Sequence, residues 1–157
     1  MRTKQTKKNL PPIEQAIMLG SLAGKKGEVP IGAVIVRGGK TIAKAYNNRE
    51  RTNVATHHAE ILAIERANKK LKSWRLDDCE MYVTLEPCPM CAGAILNARI
   101  KKLYYACSDT DSGAISKFNM LSSTLNHTTE AEQLTEYQEV VKSEIQNFFK
   151  EKRQKTH

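Results

Sequence analysis

An α/β layer structure, with helices covering a sheet, is the fold class this sequence predicts, and three observations predict it. Some segments repeat apolar residues at helical spacing while others carry short apolar or alternating runs of strand length. The two kinds of segment alternate along the chain. Glycine and proline punctuate the joins between them.

Each element follows in order. Pro11-Pro12 opens a helical pattern in which Ile13, Ala16, Ile17 and Gly20 share a face, giving a first helix over 12–25. Ile31 to Val36 is a strand-length apolar run, and Gly38-Gly39 separates it from a second strand, Lys40 to Tyr46, which reads as a β-hairpin. His57 to Leu71 is a helix, with Ile61, Leu62, Ile64 and Leu71 set against Glu65, Lys69, Lys70 and Lys72. Trp74, the one tryptophan, is expected to pack in the core. Met81, Val83 and Leu85 alternate with Glu80, Tyr82 and Thr84, making the next strand, and it runs directly into Pro87-Cys88. Met90 to Leu96 is helix-like, and Ile100 to Ala106 returns to strand character. Leu134, Tyr137, Val141, Ile145 and Phe148 trace one face of a closing helix over about 130–150.

A chain of 157 residues suits one domain, expected at 11–150 between basic tails at 1–10 and 151–157. No run of about 18 apolar residues offers a membrane span, and the basic start has no apolar segment behind it, so a soluble, cytoplasmic protein is expected. The net charge of +8 suits a nucleic-acid partner. Much of it sits at the ends, however: residues 1–8 hold four basic side chains and no acidic one, and 150–157 hold four basic and one acidic. Solvated tails that aid solubility account for such ends equally well.

Two of the four cysteines form Cys88-Pro89-Met90-Cys91, which favours metal or redox chemistry over disulfides. A catalytic zinc site takes about three imidazole or thiolate ligands and leaves a fourth position open for water. His58, Cys88 and Cys91 supply that set, and both ends of it fall at predicted helix starts, where the positive helix end favours thiolate. Glu60, two residues after His58, falls beside the pocket without having to be a ligand. It can take a proton from water activated at the metal and hand it to a departing amine. Cys79 and Cys107 sit beside strands and read as small half-buried hydrophobes, and His57 points to another side of its helix. His-x-Glu followed downstream by Pro-Cys-x-x-Cys is similar to the signature of zinc nucleobase deaminases.

The flanking blocks sharpen that likeness. Glu28-Val29-Pro30-Ile31-Gly32-Ala33-Val34, Tyr46-Asn47, His58-Ala59-Glu60-Ile61, Trp74-Arg75-Leu76, Tyr82 through Ile95, Asn126-His127 and Phe148-Phe149 resemble the bacterial tRNA-specific adenosine deaminases of the cytidine-deaminase-like superfamily. The resemblance implies a three-layer α/β/α fold around a central five-stranded mixed sheet. It implies a homodimer with one zinc ion per subunit, converting adenosine to inosine at the wobble position of a tRNA anticodon, commonly that of an arginine tRNA. It further implies that Asn47 hydrogen-bonds the base, that Val29 and Pro30 wall the pocket, and that Asp109, Asn126, His127 and Phe149 lie near the anticodon loop. As structural alternatives, Asn47 can cap a turn, Pro30 can enter a strand and the phenylalanines can fill core, a role that suits Phe148 best. The chain departs from the family where RNA would lie: Asp111 replaces a usual lysine and Thr128 a usual arginine. Losing a cation near phosphate weakens binding unless Lys117 or the tails compensate. Two other readings remain open, a guanine or cytidine-type deaminase of the same superfamily and a non-catalytic, zinc-bearing RNA-binding subunit. The presence of Glu60 argues against the second.

Overall fold

The computed structural model describes residues 10–121 and 127–155. Helix α1 (Pro12–Lys25) starts with proline in its first turn, where a missing N–H costs nothing, and buries Ile13, Ala16, Gly20 and Ala23 along one stripe. Strand β1 (Gly32–Arg37) is buried at every position but the last, because helices cover both of its faces. Gly38 and Gly39 have φ of 56° and 78°, the left-handed pair that a two-residue hairpin turn requires, and they lead into β2 (Lys40–Tyr46). A single turn of helix, α2 (Arg49–Thr52), bridges to α3 (Ala59–Leu71). Then follow β3 (Cys79–Leu85), α4 (Pro89–Asn97), β4 (Lys102–Cys107), β5 (Glu130–Gln133) and α5 (Gln138–Lys155).

The five strands lie in the order β2-β1-β3-β4-β5. β1 runs antiparallel to β2 and β3, whereas β3, β4 and β5 are parallel, so the sheet is mixed as expected. α1 and α5 pack on one face and α3 and α4 on the other. Ile35, Met81, Val83, Ile95 and Leu103 fill the second interface, where Ala59, Ala63 and Ala67 let α3 lie close to the sheet. The thinner interface under α1 and α5 gathers Ile13, Ala106, Cys107 and Val141.

α1 rests directly on backbone. A Cβ on Gly32 would stand 2.1 Å from the Ala16 carbonyl oxygen, and one on Gly20 would stand 2.8 Å from that of Pro30. Gly32→Ala is therefore expected to cost about 3 kcal/mol, because two main chains have to part to admit one methyl. A urea unfolding curve measures this; an unchanged midpoint would mean that α1 is free to shift.

Three expectations are corrected. The closing helix begins at Gln138, not near 130, because residues 130–133 pair in parallel with β4 as an edge strand. Its Glu-Ala-Glu-Gln sequence has no strand propensity, so the strand depends on ladder hydrogen bonds to its neighbour. The same helix continues through Lys155, so the described basic residues after 150 form its last turns and not a separate tail. Trp74 is 59% exposed, with Arg75 and Arg99 over its ring at 5.3 and 5.9 Å, because it sits in the connection between α3 and β3 and not on either element.

Candidate active site

In an open α/β sheet, functional groups collect where parallel strands end. β3 and β4 end at the same edge, and antiparallel β1 begins there beside the end of β2. The connections leaving this edge carry the candidate residues.

His58 is the N-cap of α3 and Cys88 the N-cap of α4, both in extended backbone, and Cys91 lies in the first turn of α4. His58 Nδ1 stands 3.5 Å from Cys91 Sγ and 3.8 Å from Cys88 Sγ. All three donor atoms lie within 4.8 Å of one another, and no other group of three or more possible metal ligands occurs among the described residues. A tetrahedral zinc with ordinary bond lengths holds a nitrogen and a sulfur about 3.5 Å apart, so the donors already have the spacing that zinc imposes. The triad therefore fits a zinc ion.

The same proximity sets the protonation. Hydrogen bonding from Cys91 draws the Cys88 thiol down to about 4, with His58 adding to the effect, and the bond to Cys88 pushes the Cys91 thiol far up. His58 is raised, first by its hydrogen bond to Cys88. Glu60, in the first turn of α3, is only 4% exposed, and burial raises its carboxyl to about 7. An acid poised near neutrality can both give and take a proton.

The other predicted residues divide. Asn47 follows β2 directly, its N–H donates to the Ile31 carbonyl at 3.0 Å, and its buried side-chain oxygen has no partner. Val29 is half-buried and Pro30 buried just before β1. Pro30 lines, with Phe148, a groove of about 510 Å³ between α1 and α5. Phe149 is 42% exposed and packs edge to face on Phe148, so the half-buried Phe148 is the ring that meets the groove. Asp109 lies just after β4, and its carboxylate accepts from the Asp111 N–H, the Ser112 N–H and the Ser112 hydroxyl. Lys117 Nζ donates to the Asp111 carbonyl at 3.1 Å, which brings a cation to the position where Asp111 replaces one. His127 is not gathered with these: it precedes β5, and a parallel β5 begins at the edge of the sheet opposite the triad. Asn126 lies outside the described residues. His57 bonds Thr52 through Nδ1, and Cys79 and Cys107 are buried apart from the triad.

Two residues of this edge escape a motif reading. Glu28, 1% exposed, accepts the backbone N–H groups of Glu50 and Arg51 at 2.9 and 2.8 Å, tying α2 down ahead of His58. Glu86, next to the Cys88 loop, accepts four hydrogen bonds from the segment after β4. The available signal was a carboxylate set among apolar residues at a strand boundary, since a buried carboxylate there has to find donors.

This mixed five-stranded sheet, with a His/Cys/Cys triad at paired helix starts and a buried glutamate beside it, defines a deaminase of the cytidine-deaminase-like fold. The chain matches the MafB19-like deaminase family over residues 12–153. It is 40% identical over 151 residues to the tRNA-specific adenosine deaminase of Bacillus subtilis, covering 91% of this chain and 89% of that one. A structure solved in a study of A-to-I editing by tRNA:A34 deaminases superposes with a TM-score of 0.74 at 39% identity, over 83% of this chain and 98% of that one. A guanine deaminase from Bacillus subtilis gives a TM-score of 0.62 at 36% identity, over 79% and 83%. The chain belongs to the tRNA-specific adenosine deaminase family and is an enzyme with deaminase activity.

Proposed function

We propose that this enzyme hydrolyses adenosine to inosine at the wobble position of a tRNA anticodon, that of an arginine tRNA, as a cytoplasmic homodimer with one zinc ion per subunit. The observation that carries the proposal is the buried Glu60 carboxyl beside the triad. In the reaction a water oxygen bonds to the amino-bearing carbon of adenine, the C–N bond breaks and ammonia leaves. His58, Cys88 and Cys91 would hold a zinc ion, which would supply Lewis acidity at this edge. Glu60 removes the proton from the attacking water and delivers it to the departing amine. Asn47 offers its unpaired side-chain oxygen to a donor on the base, and burying that oxygen without a partner would be costly unless a substrate completes it. Val29 and Pro30 wall the pocket, while Asp109 and Phe149 take positions beside the anticodon loop. The relatives named for action on tRNA support the RNA substrate, as does the positive net charge.

Guanine deamination is the second reading, favoured by the guanine deaminase at 36% identity. Incubating zinc-loaded protein in excess over an arginine tRNA anticodon stem-loop with adenosine at the wobble position, and over free guanine, adenosine and cytidine in parallel, separates the two. Inosine from the stem-loop alone is expected. Ammonia from a free base alone would replace the substrate and keep the chemistry.

A further inference from the structure

Glu86 sits at the junction of two loops that the zinc motif treats as separate. Its backbone continues directly into Pro87-Cys88, and its own N–H donates to the Cys107 carbonyl at 2.8 Å. Its carboxylate, 2% exposed, faces the segment that leaves β4. Oε1 accepts from the Asp109 N–H at 3.0 Å and the Ser116 hydroxyl at 2.5 Å, and Oε2 accepts from the Ile115 and Ser116 N–H groups at 2.9 and 2.7 Å. The Ala114 N–H reaches the Pro87 carbonyl at 2.8 Å, fastening the same segment to the ligand loop a second time. Among the described residues no ion pair reaches this carboxylate, so its charge is balanced by the loop's donors and the loop's buried donors by its charge. Gly113 completes the cradle: a Cβ there would stand 2.2 Å from Oε2.

We propose that Glu86 is a positioning residue for substrate recognition: through its carboxylate it holds the 109–116 segment at a fixed place against the Cys88 loop, so that Asp109 and its neighbours meet the substrate already ordered. The inference rests on the substrate edge identified under the proposed function. A segment that contains Asp109, Thr110, Asp111, Ser112 and Ser116 has little apolar side chain of its own to bury, with only Ala114 buried and Ile115 partly buried against the core. Beyond those two side chains its order depends on polar anchors, and Glu86 supplies four of them. Ordering the loop in the free enzyme removes an entropic cost from binding, whereas the reacting atoms are handled by Glu60 and the triad. The clamp thus acts on recognition and leaves the chemical step alone.

The test uses the full-length, zinc-loaded enzyme and Glu86→Gln. The amide keeps one acceptor and turns an NH2 toward backbone N–H donors, so one of the four bonds is lost if the Ser116 hydroxyl turns to accept and two if it does not, without a change of volume. Amide hydrogen exchange over 108–117 is expected to quicken about tenfold or more, one lost charge-assisted bond being worth about a factor of ten, while β3 and α3 keep their protection. Zinc content stays at the wild-type level. KM for the stem-loop rises about tenfold and kcat stays within about threefold, the pattern of lost binding and not of lost transition-state contacts. Gly113→Ala reaches the same contact from the loop side and should reproduce the effect, and Ser116→Ala, which removes one bond, should give a smaller one. These two keep the test open if Glu86→Gln does not fold.

Unchanged exchange in 108–117 overturns the clamp. Faster exchange with unchanged KM overturns its role in recognition, and a fall in kcat accompanied by zinc loss assigns Glu86 to the Cys88 ligand instead. If the wild-type enzyme ignores the stem-loop and turns over guanine, the RNA reading fails. The exchange experiment needs no substrate and the KM and kcat comparison transfers to guanine, so the clamp is judged independently.

Discussion

Glu60→Ala is expected to keep its zinc and lose about a thousandfold or more in turnover, within the range that a positioned proton-transfer group contributes. Two features of the structure make the separation clean. Glu60 is outside the set of three donors that come within metal-sharing distance, so removing its carboxylate takes nothing from the ligand set. It is also almost wholly buried, with burial raising its carboxyl to about 7, so bulk buffer has no easy access with which to replace it as a proton carrier. Glu60→Gln keeps the volume and one acceptor but has no proton to exchange, and the same loss is expected. Zinc per chain, measured by elemental analysis, and single-turnover inosine formation give the two readouts. A variant that is zinc-loaded and still turns over at more than about a tenth of the wild-type rate would remove Glu60 from the proton path.

The grouping of His58, Cys88 and Cys91 was legible because local patterns carry it. His58 and Glu60 flank a helix start, and Cys88 and Cys91 flank another, so short-range spacing together with helix geometry was enough to group them. The strands with continuous or alternating apolar residues, β1 to β4, were legible for the same reason. What escaped depends on distant partners. β5 is a four-residue strand of Glu, Ala and Gln that is defined by the hydrogen bonds of β4, and nothing in its own composition distinguishes it from the helix that follows. Trp74 is apolar enough to suggest core, yet two arginine side chains lie over its ring at the surface. Glu28 and Glu86 look like ordinary charged residues until the backbone donors of α2 and of the 109–116 segment are brought to them. His127 stands beside Asn126 in a family block, but the parallel direction of β5 takes it to the far edge of the sheet.

Cys91→Ala is expected to lower zinc affinity by at least about a hundredfold, more than the loss of an outer hydrogen-bond partner costs, and to bring turnover to background. Cys79→Ala is the matched control. Both cysteines are buried and both substitutions leave a small void, so each carries a similar packing cost of about 1 kcal/mol. They differ in what surrounds the sulfur: Cys91 Sγ is 3.5 Å from His58 Nδ1, whereas Cys79 lies in the β3 core away from the triad. A metal titration at two pH values adds a further distinction. In the metal-free wild type the bond to Cys88 pushes the Cys91 thiol up, and its proton has to leave before that sulfur can bind. Zinc uptake therefore releases protons, and affinity rises as pH rises. Cys91→Ala removes a ligand and also the hydrogen bond that lowers Cys88, so the affinity drops while uptake still requires a thiol proton to leave, whereas Cys79→Ala should retain both the wild-type affinity and its pH slope. Equal losses from the two substitutions would indicate that packing, and not ligation, governs the metal.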